Sequence, residues 1–300
     1  KIINSKARDV KDINQDINNY LLQPEEIPIF ISPTDLGVCR NGGRRGASFG
    51  PKAILNVLGE MGHFDHPLTS CLKTLPVISS TEEMIDFRPA QKIAETRISK
   101  ILKNEIPPKL IHLGGGHDHI LPLLTSLNKI SNYIKVINID AHLDTRMDTM
   151  GHSGTPFRDF DNLVNGQFDL YQFGINKFSN PKENYTPLKN GEMKIFSSSE
   201  INQIGDIEKF LNDLSVFNEK AITVLSIDVD GIDCSHMEAV SAVNFNGINL
   251  TCLNSILRYY NEAAITQKVL GIYEYNPLYD NLSQRGARTI AHLIYQYLLG

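Results

Sequence analysis

Tryptophan is absent from this chain of 300 residues, and its four cysteines include no CxxC pair. Cys39, Cys71, Cys234 and Cys252 lie too far apart in sequence to read as a disulfide framework or a zinc–thiolate site, so a reducing cytoplasm is the expected compartment. No apolar run approaches the ~18 residues that a membrane helix needs, and no secretory leader opens the sequence. Long basic runs are missing as well, and the net charge is −5, which argues against nucleic acid or an anionic membrane as partner. There is no internal repeat, linker or low-complexity tract. With 41% hydrophobic and 21% charged residues the composition is that of a globular protein with a sizeable core, and residues 1–300 are expected to form one domain.

What the chain does have is alternation. Val10, Ile13, Ile17 and Leu21 predict an amphipathic helix over residues 8–22. Strands are predicted at residues 27–31, 75–78, 110–113, 133–139, 169–175, 194–197, 222–227 and 269–273. Helices are predicted over 89–102, 118–127, 207–214, 250–260 and 283–299. A loop rich in Gly and Arg, Asp35 to Gly50, precedes another helix opened by Pro51, because proline is tolerated in a first helical turn. This pattern belongs to the α/β class: a parallel sheet of about eight strands with helices on both faces.

In open parallel sheets ligands gather at the C-terminal ends of the strands, and four such ends carry polar residues. His117 follows the strand at 110–113 through three glycines, and Asp140-Ala-His-Leu-Asp144 follows 133–139. Asp228-Val-Asp230 follows 222–227, and Glu274 follows 269–273. In extended chain, residues i, i+2 and i+4 project to one side. Asp140, His142 and Asp144 are therefore expected to share a face, as are Asp228 and Asp230. Taken singly, each has an ordinary explanation: an Asp at a strand end forms turns or caps helices, and a glycine run serves a tight turn. Taken together they repel, since two like charges ~4 Å apart cost about 4 kcal/mol at an effective dielectric of 20. No lysine accompanies the motifs, so a divalent metal between them is the economical answer. Six side chains exceed one tetrahedral zinc site, whereas two ions can share carboxylates and activate a water. Hard oxygens with two imidazoles favour manganese.

His117 after its glycines, Asp140-Ala-His-Leu-Asp144 and Ser226-Ile-Asp-Val-Asp-Gly231 resemble the three metal-binding signatures of the arginase/agmatinase (ureohydrolase) family, in matching order and over nearly the whole chain. The resemblance implies a three-layer α/β/α sandwich, assembly as a homo-oligomer, and two Mn2+ per subunit. It places His117, Asp140, Asp144 and Asp228 on one ion and Asp140, His142, Asp228 and Asp230 on the other, with Asp140 and Asp228 bridging. The Asp35–Pro51 loop, Arg146 after Asp144-Thr and Ser153-Gly-Thr-Pro-Phe-Arg158 are similar to the formimidoylglutamase branch, while Glu274-Tyr-Asn-Pro277 resembles the family's substrate-facing glutamate segment and Arg288-Thr its C-terminal signature. After Asp230 the family's Pro/Gly-containing segment is replaced by Met237-Glu-Ala-Val-Ser-Ala242, which is expected to reshape a loop near the pocket.

That branch hydrolyses N-formimidoyl-L-glutamate to L-glutamate and formamide. An amidinium needs a carboxylate to hold its N–H groups, the role expected of Glu274. The two substrate carboxylates need guanidinium groups, for which Arg146 leads, with Arg158 second and Ser153 beside them. Asp144 and His152 are the candidates for carrying a proton to the leaving amine. An agmatinase or guanidino-acid hydrolase releasing urea is the alternative within enzymes. From another class, the alternative is a non-catalytic metal-binding interaction protein.

Overall fold

The computed structural model describes residues 20–61, 71–79, 81–82, 86–103 and 105–300. Its eight strands are β1 (Ile27–Ser32), β2 (Leu72–Pro76), β3 (Lys109–Gly114), β4 (Tyr133–Ile139), β5 (Gln167–Phe173), β6 (Met193–Phe196), β7 (Ile222–Asp228) and β8 (Lys268–Tyr273). They form one sheet in the order β2-β1-β3-β8-β7-β4-β5-β6, and every pairing is parallel. The helices are α1 (Leu36–Arg40), α2 (Gly50–Glu60), α3 (Phe87–Leu102), α4 (Ile120–Asn128), α5 (Pro156–Leu163), α6 (Ser198–Asn202), α7 (Ile207–Asp213), α8 (Leu250–Glu262) and α9 (Arg285–Leu299). None of the described helices is long and apolar enough to cross a membrane, and no disulfide joins the four cysteines.

The three layers follow from the two-residue period of the strands. Ile137 and Ile139 of β4, Leu225 and Ile227 of β7, and Leu270 and Ile272 of β8 pack on one face with α2 and α6 to α9. The alternate residues Ile134, Val136, Ile222, Val224 and Val269 pack on the other with α3, α4 and α5. Both faces are covered, which is why these strands read as nearly unbroken apolar runs.

Register positions the site. Leu113 pairs with Ile272, Ile272 with Ile227, and Ile227 with Ile139, forming one row across the four central strands. The next row is Gly114, Tyr273, Asp228 and Asp140. Four motifs scattered over 160 residues of sequence therefore emerge side by side at one edge of the core. Glycine permits the close fit at one point in particular: a Cβ on Gly231 would sit 2.6 Å from the backbone nitrogen of Asp140.

The sequence-predicted strands all form, with ends shifted by up to three residues. The helix predicted over residues 8–22 falls outside the described residues except for Tyr20 to Leu22, which are irregular. Three helices went unpredicted: α1, inside the Asp35–Gly50 loop, and α5 and α6. α5 has only Phe157 and Phe160 as buried large apolar residues, too few for a periodic signal, whereas α6 carries a capping box between Ser197 and Glu200 that the sequence displays openly. The Asp35–Gly50 loop is also more ordered than its composition suggests. It holds α1, and Asp35 Oδ2 accepts from Gly46 N at 2.7 Å to close it.

Candidate metal centre and active site

The carboxylates converge, though not by the extended geometry expected of them. β4 ends at Ile139 and the chain bends. Asp140 Oδ1 accepts from His142 N at 2.6 Å, a turn closed by the aspartate's own side chain, and Asp144 adopts a left-handed conformation with φ 51°. β7 repeats the device: Asp228 Oδ1 accepts from Asp230 N at 3.1 Å, which turns Val229–Gly231 into a short 3-10 helix. Both motifs thus pair an aspartate with a second ligand through a side-chain-to-backbone bond.

Two groups of donor atoms result, each compact enough to hold one metal ion: His117, Asp140, Asp144 and Asp228, and beside it Asp140, His142 and Asp230. His117 Nδ1 lies 3.2 Å from Asp140 Oδ2, 2.8 Å from Asp144 Oδ2 and 3.3 Å from Asp228 Oδ2. His142 Nδ1 lies 3.2 Å from Asp230 Oδ2 and 3.6 Å from Asp140 Oδ1. These residues are buried except His142, which opens to solvent. The His117 ring stacks on Tyr273 and meets the edge of Phe157. Its Nε2 bonds Ser226 Oγ at 2.9 Å, and Asn138 Nδ2 donates to Asp140 Oδ2 at 3.1 Å. Such outer partners fix the orientation of a ligand and its tautomer.

The donor set fits a cation. With Nε2 bound to Ser226, His117 presents Nδ1 to three carboxylate oxygens, yet this buried atom makes no hydrogen bond, and neither does Asp230 Oδ1. Every ion pair of the four aspartates among the described residues is with His117 or His142. Without metal, the cluster can only gather protons. Burial, reinforced by neighbouring carboxylates, pushes Asp228 and Glu274 well up and Asp144 up to about 6. Burial opposes charge on His117 and His142 as well, but the facing carboxylates raise both well above the ordinary histidine range. Against burial, the two imidazoles hold Asp140 low. The raised values report one deficit, positive charge.

Glu274 stands beside this cluster. It leaves β8 with φ 66°, its N–H donates to Gly115 O at 2.7 Å, and its buried Oε1 accepts from His117 N at 3.1 Å. Arg146 is half-exposed, with Nη1 donating to Asn41 Oδ1 at 2.6 Å and Nε 3.0 Å from Asp148 Oδ2. Ser153 joins it through Asn41, whose Nδ2 donates to Ser153 Oγ at 3.2 Å.

Two of the expected site residues have their polar atoms engaged within the protein. Arg158 is buried, and its guanidinium is taken up by the carbonyls of Thr145, Pro187 and Thr186 and by Asp161. Its buried stem belongs to α5. His152 is buried with both ring nitrogens engaged, Nε2 with Asp148 Oδ2 at 2.8 Å and Nδ1 accepting from Gly154 N at 3.0 Å. Nε2 therefore donates to Asp148 while Nδ1 takes the Gly154 amide, and both ring nitrogens are committed to this loop. Arg44, from the Gly- and Arg-rich loop, is likewise spent on Val240 O and Ser241 O and stacked on Tyr279. It clamps the divergent Met237–Ala242 segment, whose Ala239 O in turn accepts from Asn276 N just past Glu274.

Sequence reasoning passed over Ser226, Asn138, Asn41 and Asp148. Ser226 had a signal, two residues before Asp228 on the same face of β7. Asn41 had none, because its partner Arg146 lies 105 residues away, whereas Asp148 sits two residues from Arg146 and four from His152 and was open to a local reading.

A family model described as the arginase family matches residues 25–300. The chain belongs to the arginase family. Within it, the chain is 28% identical over 284 residues to a formimidoylglutamase of Hahella chejuensis, covering 90% of this chain and 84% of that one. Among solved structures, a Trypanosoma cruzi formiminoglutamase with Mn2+ superposes with a TM-score of 0.76 at 23% identity, covering 92% of this chain and 94% of that one. A Bacillus subtilis formimidoylglutamase gives 0.77 at 20% identity, covering 97% and 95%. The eight-strand parallel sheet between two helical layers is the fold this chain shares with the two solved structures.

Proposed function

We propose that this arginase-family chain is a binuclear manganese hydrolase whose substrate is N-formimidoyl-L-glutamate, released as L-glutamate and formamide. The observation that carries the reading is the meeting of four aspartates and two histidines in two adjacent groups, one of them around a buried His117 Nδ1 that no hydrogen bond satisfies. His117, Asp140, Asp144 and Asp228 would hold one ion, and Asp140, His142, Asp228 and Asp230 the other. When bound, the ions supply a water nucleophile at neutral pH. The rest falls to the side chains. Glu274 binds the amidinium, which meets its demand for a cation. Asp144 takes the proton of the attacking water and passes it to the nitrogen that leaves as the glutamate amine. Arg146 holds a substrate carboxylate with its unused N–H groups, and Ser153 stands behind it through Asn41.

The relatives named formimidoylglutamase support this substrate, and so does Arg146, whose N–H donors suit a carboxylate and offer no acceptor to the second cationic end of agmatine. The deciding experiment is product analysis of the manganese-loaded protein with N-formimidoyl-L-glutamate, agmatine, arginine and guanidinobutyrate. Formamide from the first is the expected result, and urea from any of the others overturns the substrate. Silence on all four is the signature of a metal-binding protein without hydrolase activity. Arg146→Ala is expected to raise KM for the dicarboxylic substrate by about 10- to 100-fold, the worth of one charged bidentate contact. The homo-oligomer implied by the family is read by light scattering of the same sample.

A further inference from the structure

The rim beside the metal centre carries a closed ring of contacts that the hydrolytic chemistry does not call on. Arg146 N donates to Gly154 O at 3.0 Å, and Gly154 N donates to His152 Nδ1 at 3.0 Å. His152 Nε2 lies 2.8 Å from Asp148 Oδ2, and the same carboxylate oxygen lies 3.0 Å from Arg146 Nε. A second arm reaches over from α1: Asn41, at its C-terminal end, accepts from Arg146 Nη1 at 2.6 Å and donates to Ser153 at 3.2 Å. The guanidinium is therefore gripped on two sides, by a buried histidine acting through Asp148 and by Asn41.

A guanidinium has five N–H donors in one plane. Asp148 and Asn41 engage two of them, which leaves three on Nη1 and Nη2, and the side chain is 43% exposed. An arginine on a flexible stem must give up rotamer freedom to bind a carboxylate in a fixed geometry, and a preformed grip removes that cost from the binding step. Because Asp148 offsets the charge of Arg146, recognition here leans on the direction of the N–H groups more than on bare attraction.

We infer that Asn41 and Asp148 are positioning residues for substrate specificity, holding the Arg146 guanidinium with its Nη edge outward to take a carboxylate remote from the scissile C=N bond. The inference rests on the proposed function for its substrate. His152 gains a role in the same stroke, as the buried anchor of Asp148.

The test compares manganese-loaded wild type with Asp148→Ala, Asp148→Asn and Asn41→Ala. Calorimetry reads the affinity for L-glutamate, and turnover is followed on N-formimidoyl-L-glutamate and on a formimidoyl alkylamine without carboxylates. In both alanine variants the affinity for L-glutamate should fall about tenfold and KM for the dicarboxylic substrate should rise to match, with kcat moving by less than about threefold. Asp148→Asn keeps an acceptor for Nε and should recover part of the loss. A loss as large on the carboxylate-free amine, or unaltered L-glutamate binding in the alanine variants, overturns the inference. If wild type binds L-glutamate but releases no formamide, the hydrolase reading fails, and the binding series alone decides the positioning role.

Discussion

Two buried polar clusters sit at opposite ends of β4, and they are built on opposite principles. Near the strand's start, Lys135 Nζ donates to Ser215 O at 2.6 Å and to Tyr171 OH at 3.3 Å, and lies 4.0 Å from Asp169 Oδ2. Asp169 also accepts from Tyr133 OH at 2.6 Å and from Glu192 N at 3.1 Å. That cluster carries its own cation, and its polar atoms are satisfied. At the strand's other end, Asp140 joins three aspartates and two histidines, Glu274 stands against His117, and atoms remain unpartnered. One strand thus shows what burial of charge looks like when the fold is its purpose, and what it looks like when a cation must arrive from outside. A buried charge costs several kcal/mol unless it is paired; the Lys135 cluster pairs it by sequence and the Asp140 cluster leaves the pairing to a ligand.

The contrast is broken most directly at Asp228. Asp228→Asn is expected to lower kcat/KM by more than about 1000-fold, some 4 kcal/mol of barrier, and to abolish manganese-dependent thermal stabilisation. The metal-free variant should melt above metal-free wild type, because asparagine spares the buried site the cost of protonating or repelling a carboxylate. A melt below wild type would mean the cluster is satisfied as it stands. Next comes Glu274→Gln, for which a loss of about 100- to 1000-fold in activity is expected with manganese content unaltered, since the amidinium loses a buried counter-charge. Loss of metal in that variant would move Glu274 into the ligand set.

Lys135→Met examines the other end. It leaves Asp169 without its cation and should lower unfolding free energy in urea by about 3 kcal/mol, while activity at 25 °C and manganese affinity stay at wild-type values. Coupling between the two ends would show as a fall in manganese affinity. The smallest effect concerns pH. In chelated protein the folded-state values of Asp144 (about 6), Asp228, Glu274, His117 and His142 all lie above their ordinary ones. Each raised group stabilises the fold at pH below its unfolded value, and that stability is lost as pH rises through the folded value. The chelated protein should therefore melt higher at pH 5.5 than at pH 8, by on the order of 5 °C. Manganese should reverse the slope, because protons then compete with the metal. A metal-free melt that rises between those pH values would contradict the charge deficit.

Much of this was legible before any coordinates. The β-branched run at Ile134 to Ile139 could only be a buried strand, and the polar residues after Leu113, Ile139, Ile227 and Tyr273 could be paired with a metal by counting charges. The extended-chain premise, however, was the wrong reason for a right grouping. Asp140 and Asp228 each bend the chain by accepting the amide two residues on, a local choice that a period-two pattern does not encode. Arg158 was illegible for the opposite reason: its neighbours Thr186 and Pro187, which consume its guanidinium, lie 28 and 29 residues away and leave no mark near it.

The sequence by itself determined the strands, the donor types and the demand for divalent cations, because hydrophobic period and net charge are properties of residues and their near neighbours. Tertiary structure alone decided which strands lie side by side, which arginine keeps N–H groups exposed, and which histidine has both ring nitrogens engaged at the rim. Those outcomes depend on register across β3, β8, β7 and β4 and on carbonyls delivered from distant loops, where the free energy of a hydrogen bond depends on position in space and not on position in the chain.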